Sequence, residues 1–138
     1  MIMSFASYNL WQPWQKTSPL SAQLFVDYEP GIHICQVQMQ SGVTGINLPR
    51  IYSVIKQSKD QDPDASWIKS QLPQLREASA DSIHNAELAE TYKEIICDPK
   101  ASAKKARETI WSMRANKDFK KLAKDVYLKH GSRMKRRA

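Results

Sequence analysis

The sequence predicts an α+β fold that is mostly helical. An N-terminal β-hairpin, with room for a third strand, packs on four to five short helices, and the chain ends in a basic helical hairpin and a basic tail. Three observations predict this. Residues 21–40 alternate apolar and polar with a period of two around Glu29-Pro30-Gly31. Beyond residue 50, apolar residues recur at spacings of three and four. Within that second stretch, Asp62-Pro63, Asp98-Pro99 and Asn116 stand where helix caps are needed.

Taken in order, residues 1–19 are polar and aromatic, with Trp11-Gln-Pro-Trp14 at their centre. Pro13 and Pro19 argue against a regular element, so the segment reads as an aromatic arm. Leu24, Val26 and Tyr28 then alternate with Gln23, Phe25 and Asp27. Glu29-Pro30-Gly31 supplies turn chemistry, because Pro presets φ and Gly tolerates positive φ. Cys35, Val37 and Met39 alternate with Gln36, Gln38 and Gln40, a half-buried strand with a glutamine face. Ser41-Gly42 ends it, and Val43 to Ile46 has the length of a third short strand.

The helical part begins where Asn47 caps and Pro49 opens a first turn, with Ile51, Val54 and Ile55 as its stripe. Lys59 to Asp64 reads as a polar loop, and Asp62-Pro63 as the start of a helix that buries Trp67, Ile68 and Leu72. Residues 81–97 read as one helix, with Glu87, Glu90, Glu94 and Asp98 on one stripe and Leu88, Tyr92, Ile95 and Ile96 opposite. Asp98-Pro99 opens the next helix, whose apolar side is Ala103, Ala106, Ile110 and Met113. Asn116 caps the last one and His130-Gly131 stops it. The predicted core is Leu24, Val26, Val37, Ile51, Ile55, Ile68, Leu72, Leu88, Tyr92, Ile95, Ile110, Phe119, Leu122 and Val126. The domain reading is an arm over 1–19, one globular domain over 20–131 and a basic tail over 132–138.

Charge is the strongest asymmetry. The 138 residues carry a formal net charge of +7. Residues 1–60 net +1, residues 61–98 net −5, and residues 99–138 hold 14 Lys and Arg against Glu108, Asp118 and Asp125. In the last helix Phe119, Leu122, Ala123, Val126 and Tyr127 form a core-type stripe, while Lys117, Lys120, Lys121 and Lys124 share an arc of roughly 100° on the other side. Lys129 and the tail residues Arg133, Lys135, Arg136 and Arg137 extend the positive charge. The preceding helix adds Lys104, Lys105, Arg107 and Arg114, with Trp111 among them.

Clustered lysines repel one another, and a polyanion relieves that repulsion with release of its counterions. The expected function is therefore a small, non-catalytic nucleic-acid-binding protein that contacts phosphate backbone with little sequence preference, alone or in a nucleoprotein assembly. Trp111 reads either as a surface that stacks on an unpaired base or, more plainly, as an anchor packed on a neighbouring element with the cations flanking it. Lysine acts as a point charge toward phosphate, so base reading is not expected, even though the two helices around Arg114-Ala115-Asn116 have helix-turn-helix length. The alternative is an adaptor or inhibitor that docks an acidic protein partner through the hairpin, the aromatic arm and the basic face. A solvated lysine face is the plain reading beside both.

Other chemistry is thin. His33, Cys35, His84 and Cys97 lack the paired spacing of a zinc site, and two cysteines make no disulfide framework. Asp81-Ser82-Ile83-His84 has triad residue types, but triads assemble in space, and Asp81 and Ser82 read more simply as caps. Glu87, Glu90 and Glu94 read as a solvated face rather than a cation site. No Gly-rich phosphate loop, G-x-S-x-G or H-E-x-x-H occurs. No cofactor, no metal and no catalysis are expected. Neither a signal peptide nor an apolar run near ~20 residues is present, so an intracellular protein without membrane contact is expected.

Overall fold

The computed structural model describes residues 1–44, 48–88, 92 and 95–131. Among them the fold is helical throughout, with no strand. Helix α1 (Ile2–Ser4) runs into a π-helical turn (Phe5–Asn9). α2 (Trp14–Leu24), α3 (Pro30–Ser41), α4 (Val54–Gln61) and α5 (Ser66–Gln71) follow. A 3₁₀ turn (Pro73–Leu75) leads to α6 (Ala80–Asn85), and the long α7 (Pro99–Ala115) and α8 (Lys117–His130) close the chain.

The predicted hairpin is overturned. Residues 21–24 end α2, and residues 30–41 are α3. Glu29-Pro30-Gly31 is a helix start rather than a turn: the Glu29 carboxylate accepts from Ile32 N–H at 2.7 Å, and Pro30 takes the first helical position, where a missing N–H costs nothing. Gly42 closes the helix in the left-handed conformation at φ 72°. The period-two pattern misled because α3 is amphipathic on a narrow face. His33 and Val37, four apart, are buried, while Ile32 and Ile34 stay exposed. Leu24 and Val26, expected in the core, are 78% and 104% exposed. Val43, expected to open a third strand, lies in a turn, and residues 45–47 are outside the described set.

Residues 1–19 are helical as well. Pro19 lies inside α2, and Met3, Ser4, Ala6, Tyr8 and Asn9 are buried. Two side chains fasten this segment to the rest. Ser4 Oγ donates to Arg50 O at 2.8 Å and accepts from Tyr52 N–H at 3.2 Å. Asn9 Nδ2 donates to Pro99 O at 3.2 Å and Ser102 Oγ at 2.9 Å, fixing the π turn to the start of α7.

The caps are read well and the registers less so. Ser53, not Asn47, caps α4 by accepting from Lys56 N–H; Asn47 lies outside the described residues. Lys59 to Gln61 belong to α4 rather than to a loop. Asp62 does serve α5, but from farther upstream than a regular cap: its carboxylate accepts from Trp67 N–H at 3.1 Å and Ile68 N–H at 3.0 Å. The helix predicted over 81–97 ends at Asn85, because Ala86 turns left-handed at φ 58° and its N–H closes on Ile83 O and Ser82 O. Ile95 and Ile96 are exposed and non-helical, and Glu90 and Glu94 lie outside the described residues. Asp98, Pro99, Asn116 and Gly131 act as expected at the ends of α7 and α8.

A small core joins Ala65, Leu75, Ile83 and Leu88, with Ile68, Leu72 and Tyr92 packed on it. Val37 and Ala106, each 1% exposed, anchor α3 and α7. The α8 stripe is the second correction to the predicted core. No α8 residue is buried, and Leu122 is 66% and Val126 37% exposed. The stripe exists in the sequence, but nothing in the described structure covers it.

Candidate functional site

The basic residues named above lie mostly on exposed helix surface, and Arg107 and Trp111 line one small cleft with Pro49, Ile51 and Ile110. Lys104, Lys105 and Arg107 are exposed on α7, and Lys117, Lys120, Lys121, Lys124 and Lys129 are exposed on α8. Arg133, Lys135, Arg136 and Arg137 lie outside the described residues. Arg114 differs. It is half-buried, its guanidinium lies 5.8 Å from the Trp111 ring centroid and 5.1 Å from that of Phe119, and no carboxylate among the described residues reaches it. Trp111 is thus occupied by a cation of its own helix, while remaining 46% exposed.

Three clefts carry the chemistry that the structure offers. The first, about 290 Å³, lies between α1 and α3 and is lined by Met1, Ile2, Met3, Phe25, His33, Gln36, Val37 and Gln40. Its floor is Val37 and its rim holds Ile2 and Phe25, 61% and 43% exposed. One edge is polar: Gln40 Nε2 donates to Gln36 Oε1 at 3.3 Å. His33 is fixed behind it. Its Nε2 lies 3.2 Å from the Ser18 carbonyl, which only accepts, so Nε2 carries the proton, and Ser18 Oγ lies 3.1 Å from the same nitrogen. Phe25 and Tyr28 meet the His33 ring edge-on at 6.3 and 5.1 Å between centroids. Aromatic and aliphatic surface thus faces solvent beside an amide edge.

The second cleft, about 490 Å³, is bounded by α4, α5, α6 and residues 95–99. Its polar wall is Ser58, Asp62 and His84. His84 Nε2 donates to Pro63 O at 3.1 Å, and that tautomer leaves Nδ1 to accept from Ser58 Oγ at 2.7 Å. The backbone N–H of Ile68, then that of Trp67 and the Ser66 hydroxyl, hold the Asp62 carboxyl below its ordinary range. The acid residue types noted at 81–84 do not assemble. Asp81 pairs outward with Lys59 at 2.9 Å, and Ser82 is bound to the Ser79 cap.

The third cleft, about 290 Å³, opens beside the π turn and holds Tyr8, Trp11, Trp14, Gly42, Arg114 and Phe119. Tyr8 is 4% exposed, and its hydroxyl has no hydrogen-bond partner among the described residues. Burial pushes the Tyr8 pKa up to about 12, against the opposing field of Arg114. Leaving such a donor unpaired costs ~1–3 kcal/mol. Trp11 adds strain, since a bulky residue at φ 52° is an outlier. Sequence reasoning missed Tyr8 and read Trp11 only as part of an aromatic arm. The one available signal was Trp11-Gln-Pro-Trp14, which marks aromatic surface but not its partner helix.

Among the described residues no cluster of His, Cys, Asp and Glu is arranged to hold a metal. Cys35 is exposed on α3 and Cys97 is half-buried, so they share no site. No helix among these residues is long and apolar enough to cross a membrane.

The family model described as the FAD binding domain of DNA photolyase matches residues 1–112. Comparison with curated proteins and with solved structures finds no match. The family match overturns the expected small, non-catalytic nucleic-acid-binding protein and its adaptor alternative. The match covers residues 1–112 and ends before α8, whereas the charge excess that carried the expectation lies chiefly on exposed lysines that any surface tolerates. Over 112 of its 138 residues, the chain belongs to the family of the FAD binding domain of DNA photolyase.

Proposed function

We propose that this chain is a flavin-binding, photolyase-related protein and that the cleft between α1 and α3 receives the flavin ring system. The observation that carries the reading is the family match over residues 1–112. The cleft supports it because all of its lining residues fall inside that stretch. The Tyr8 cleft borrows Met113, Arg114 and Phe119 from beyond it.

The residues present suit the ring and not the whole dinucleotide. A flavin ring has two apolar faces and one edge of alternating donors and acceptors. Phe25, Ile2 and Val37 offer the apolar wall. Gln36 Nε2 has no protein partner among the described residues, and Gln40 Oε1, which accepts from the Met1 ammonium at 2.9 Å, keeps a second lone pair. No Lys or Arg lines this cleft for a diphosphate. The 490 Å³ cleft is roomier, yet among the described residues no Lys or Arg lines it either, and it presents the charged Asp62. A bound flavin supplies one- and two-electron transfer. The chain's own part is to exclude water from one ring face with Phe25 and Ile2, to orient the ring edge with the two carboxamides, and to hold Gln36 in place through α3. His33 keeps the start of α3 packed on α2 through Ser18.

Titration of FAD into the protein, followed by flavin fluorescence anisotropy, tests the reading. Saturable binding that falls about five- to tenfold in Phe25→Ala and in Gln36→Ala, with unchanged circular dichroism, is expected for lost stacking and a lost amide contact. Absence of saturable binding overturns the function. Binding that ignores both substitutions overturns the placement.

A further inference from the structure

The cleft beside the π turn is not explained by a flavin site on α1 and α3. At about 290 Å³ it lies at the lower end of small-ligand pockets and is too small for a dinucleotide. Three independent features meet in it. Arg114 presents a guanidinium that no carboxylate among the described residues neutralises, held between Trp111 and Phe119. Trp11 and Trp14 line the same space, Trp11 in a backbone conformation that bulky residues avoid. Tyr8, 4% exposed and lining the cleft, has a hydroxyl with no partner among the described residues. The π-helical turn that carries Tyr8 is itself an irregularity often met at functional sites.

Each feature asks for a different part of one ligand. Indole rings stack on a planar heteroaromatic ring. A half-buried arginine takes one carboxylate or phosphate through its planar fork. A lone phenol donor is satisfied by one ring acceptor. We propose that this cleft binds a small planar heteroaromatic anion, of mononucleotide size and bearing a single anionic group. The site is separate from the flavin cleft. They share no lining residue, and Arg114 and Phe119 lie beyond residue 112.

The test uses the full chain and tryptophan fluorescence, since Trp11 and Trp14 report on the cleft. Adenosine 5′-monophosphate is the phosphate probe and orotate the carboxylate probe; adenosine is the uncharged control. Saturable quenching by at least one anion is expected, with adenosine weaker by about tenfold. Arg114→Gln is expected to erase that tenfold advantage. Tyr8→Phe, which removes a hydroxyl that costs the free protein stability, is expected to weaken binding about three- to tenfold while leaving the thermal midpoint equal or higher. Quenching by only one anion identifies the group that Arg114 takes. Quenching by neither, or equal affinity in Arg114→Gln or Tyr8→Phe, overturns the proposal. Repeating the titration with riboflavin present separates the two sites: undiminished affinity supports a second site, and competition overturns it. Because the quenching is read without flavin in the first arm, failure of the flavin reading leaves this result unaffected.

Discussion

The Tyr8 hydroxyl occupies the place beside Gly42 where a side chain would begin: a Cβ built on residue 42 would stand 2.5 Å from Tyr8 Oη. Gly42 also sits at φ 72°. Gly42→Ala is therefore expected to lose on two counts, the left-handed conformation and the collision, for a total of about 1–3 kcal/mol. Gly31→Ala provides the contrast. Residue 31 lies in the first turn of α3, and the new Cβ meets only the exposed Glu29 side chain, whose capping Oε2 at 3.1 Å must yield by a few tenths of an ångström. Its midpoint in urea is expected within about 0.5 kcal/mol of wild type, or above it. Parallel urea melts of the two variants check both.

Alkaline pH probes the same phenol. The folded pKa of Tyr8 is about 12, against an unfolded value near 10. Above the unfolded value the denatured chain releases this proton while the native chain keeps it. Stability contributed by Tyr8 is thus complete below pH ~10 and declines as pH rises toward ~12, by on the order of 2 kcal/mol. Tyr8→Phe removes that decline. The difference between wild-type and Y8F melting midpoints, measured at about pH 9 and about pH 11.5, is expected to shift in favour of Y8F.

Asp62 governs the acid side. Its carboxylate accepts from Ile68 N–H and Trp67 N–H, which hold its pKa below the usual value. The stabilisation is present above the unfolded carboxyl pKa and is lost as pH falls through the folded one. Asp62→Ala is expected to lower the neutral-pH thermal midpoint by a few degrees. It should also flatten the midpoint's dependence on pH between about 5 and 2. A titration of midpoint against pH for both proteins reads this directly.

The α8 stripe looked like core and is not. Leu122 and Leu128 are 66% and 69% exposed, so Leu122→Gln and Leu128→Gln are each expected to change stability by less than about 0.5 kcal/mol. Val37→Ala, at 1% exposure, is expected to cost roughly 2 kcal/mol. Equal losses at Leu122 and Val37 would contradict the exposed placement of α8.

How much of this was legible in the sequence depended on whether a signal was local. Helix ends were: Asp98-Pro99 and Asn116 satisfy their own neighbours' N–H groups, and Asp98 accepts from Lys100 and Ala101. Apolar pattern was not. His33 and Val37 are the buried positions of α3, but Gln36, Gln38 and Gln40 interleaved with Cys35, Val37 and Met39 made the run read as alternating. Weighing Glu29-Pro30 against Gly42 as cap and stop would have favoured a helix, since both ends are marked twelve residues apart. The site residues were harder. The cleft of Phe25, Gln36 and Gln40 depends on how α1 packs against α3, and Tyr8 meets Arg114 across more than a hundred residues of chain. Charge counting drew attention to exposed lysines, while the family relationship is carried by the scaffold of residues 1–112.

Riboflavin binding is the most direct check on the flavin site, because riboflavin carries the ring system without the diphosphate, for which no Lys or Arg lines the α1–α3 cleft among the described residues. Flavin fluorescence is followed during titration with wild-type protein and with Phe25→Ala. The account predicts saturable binding of riboflavin within about tenfold of FAD, weakened about five- to tenfold in Phe25→Ala. A flat titration, or one that Phe25→Ala leaves unchanged, contradicts it.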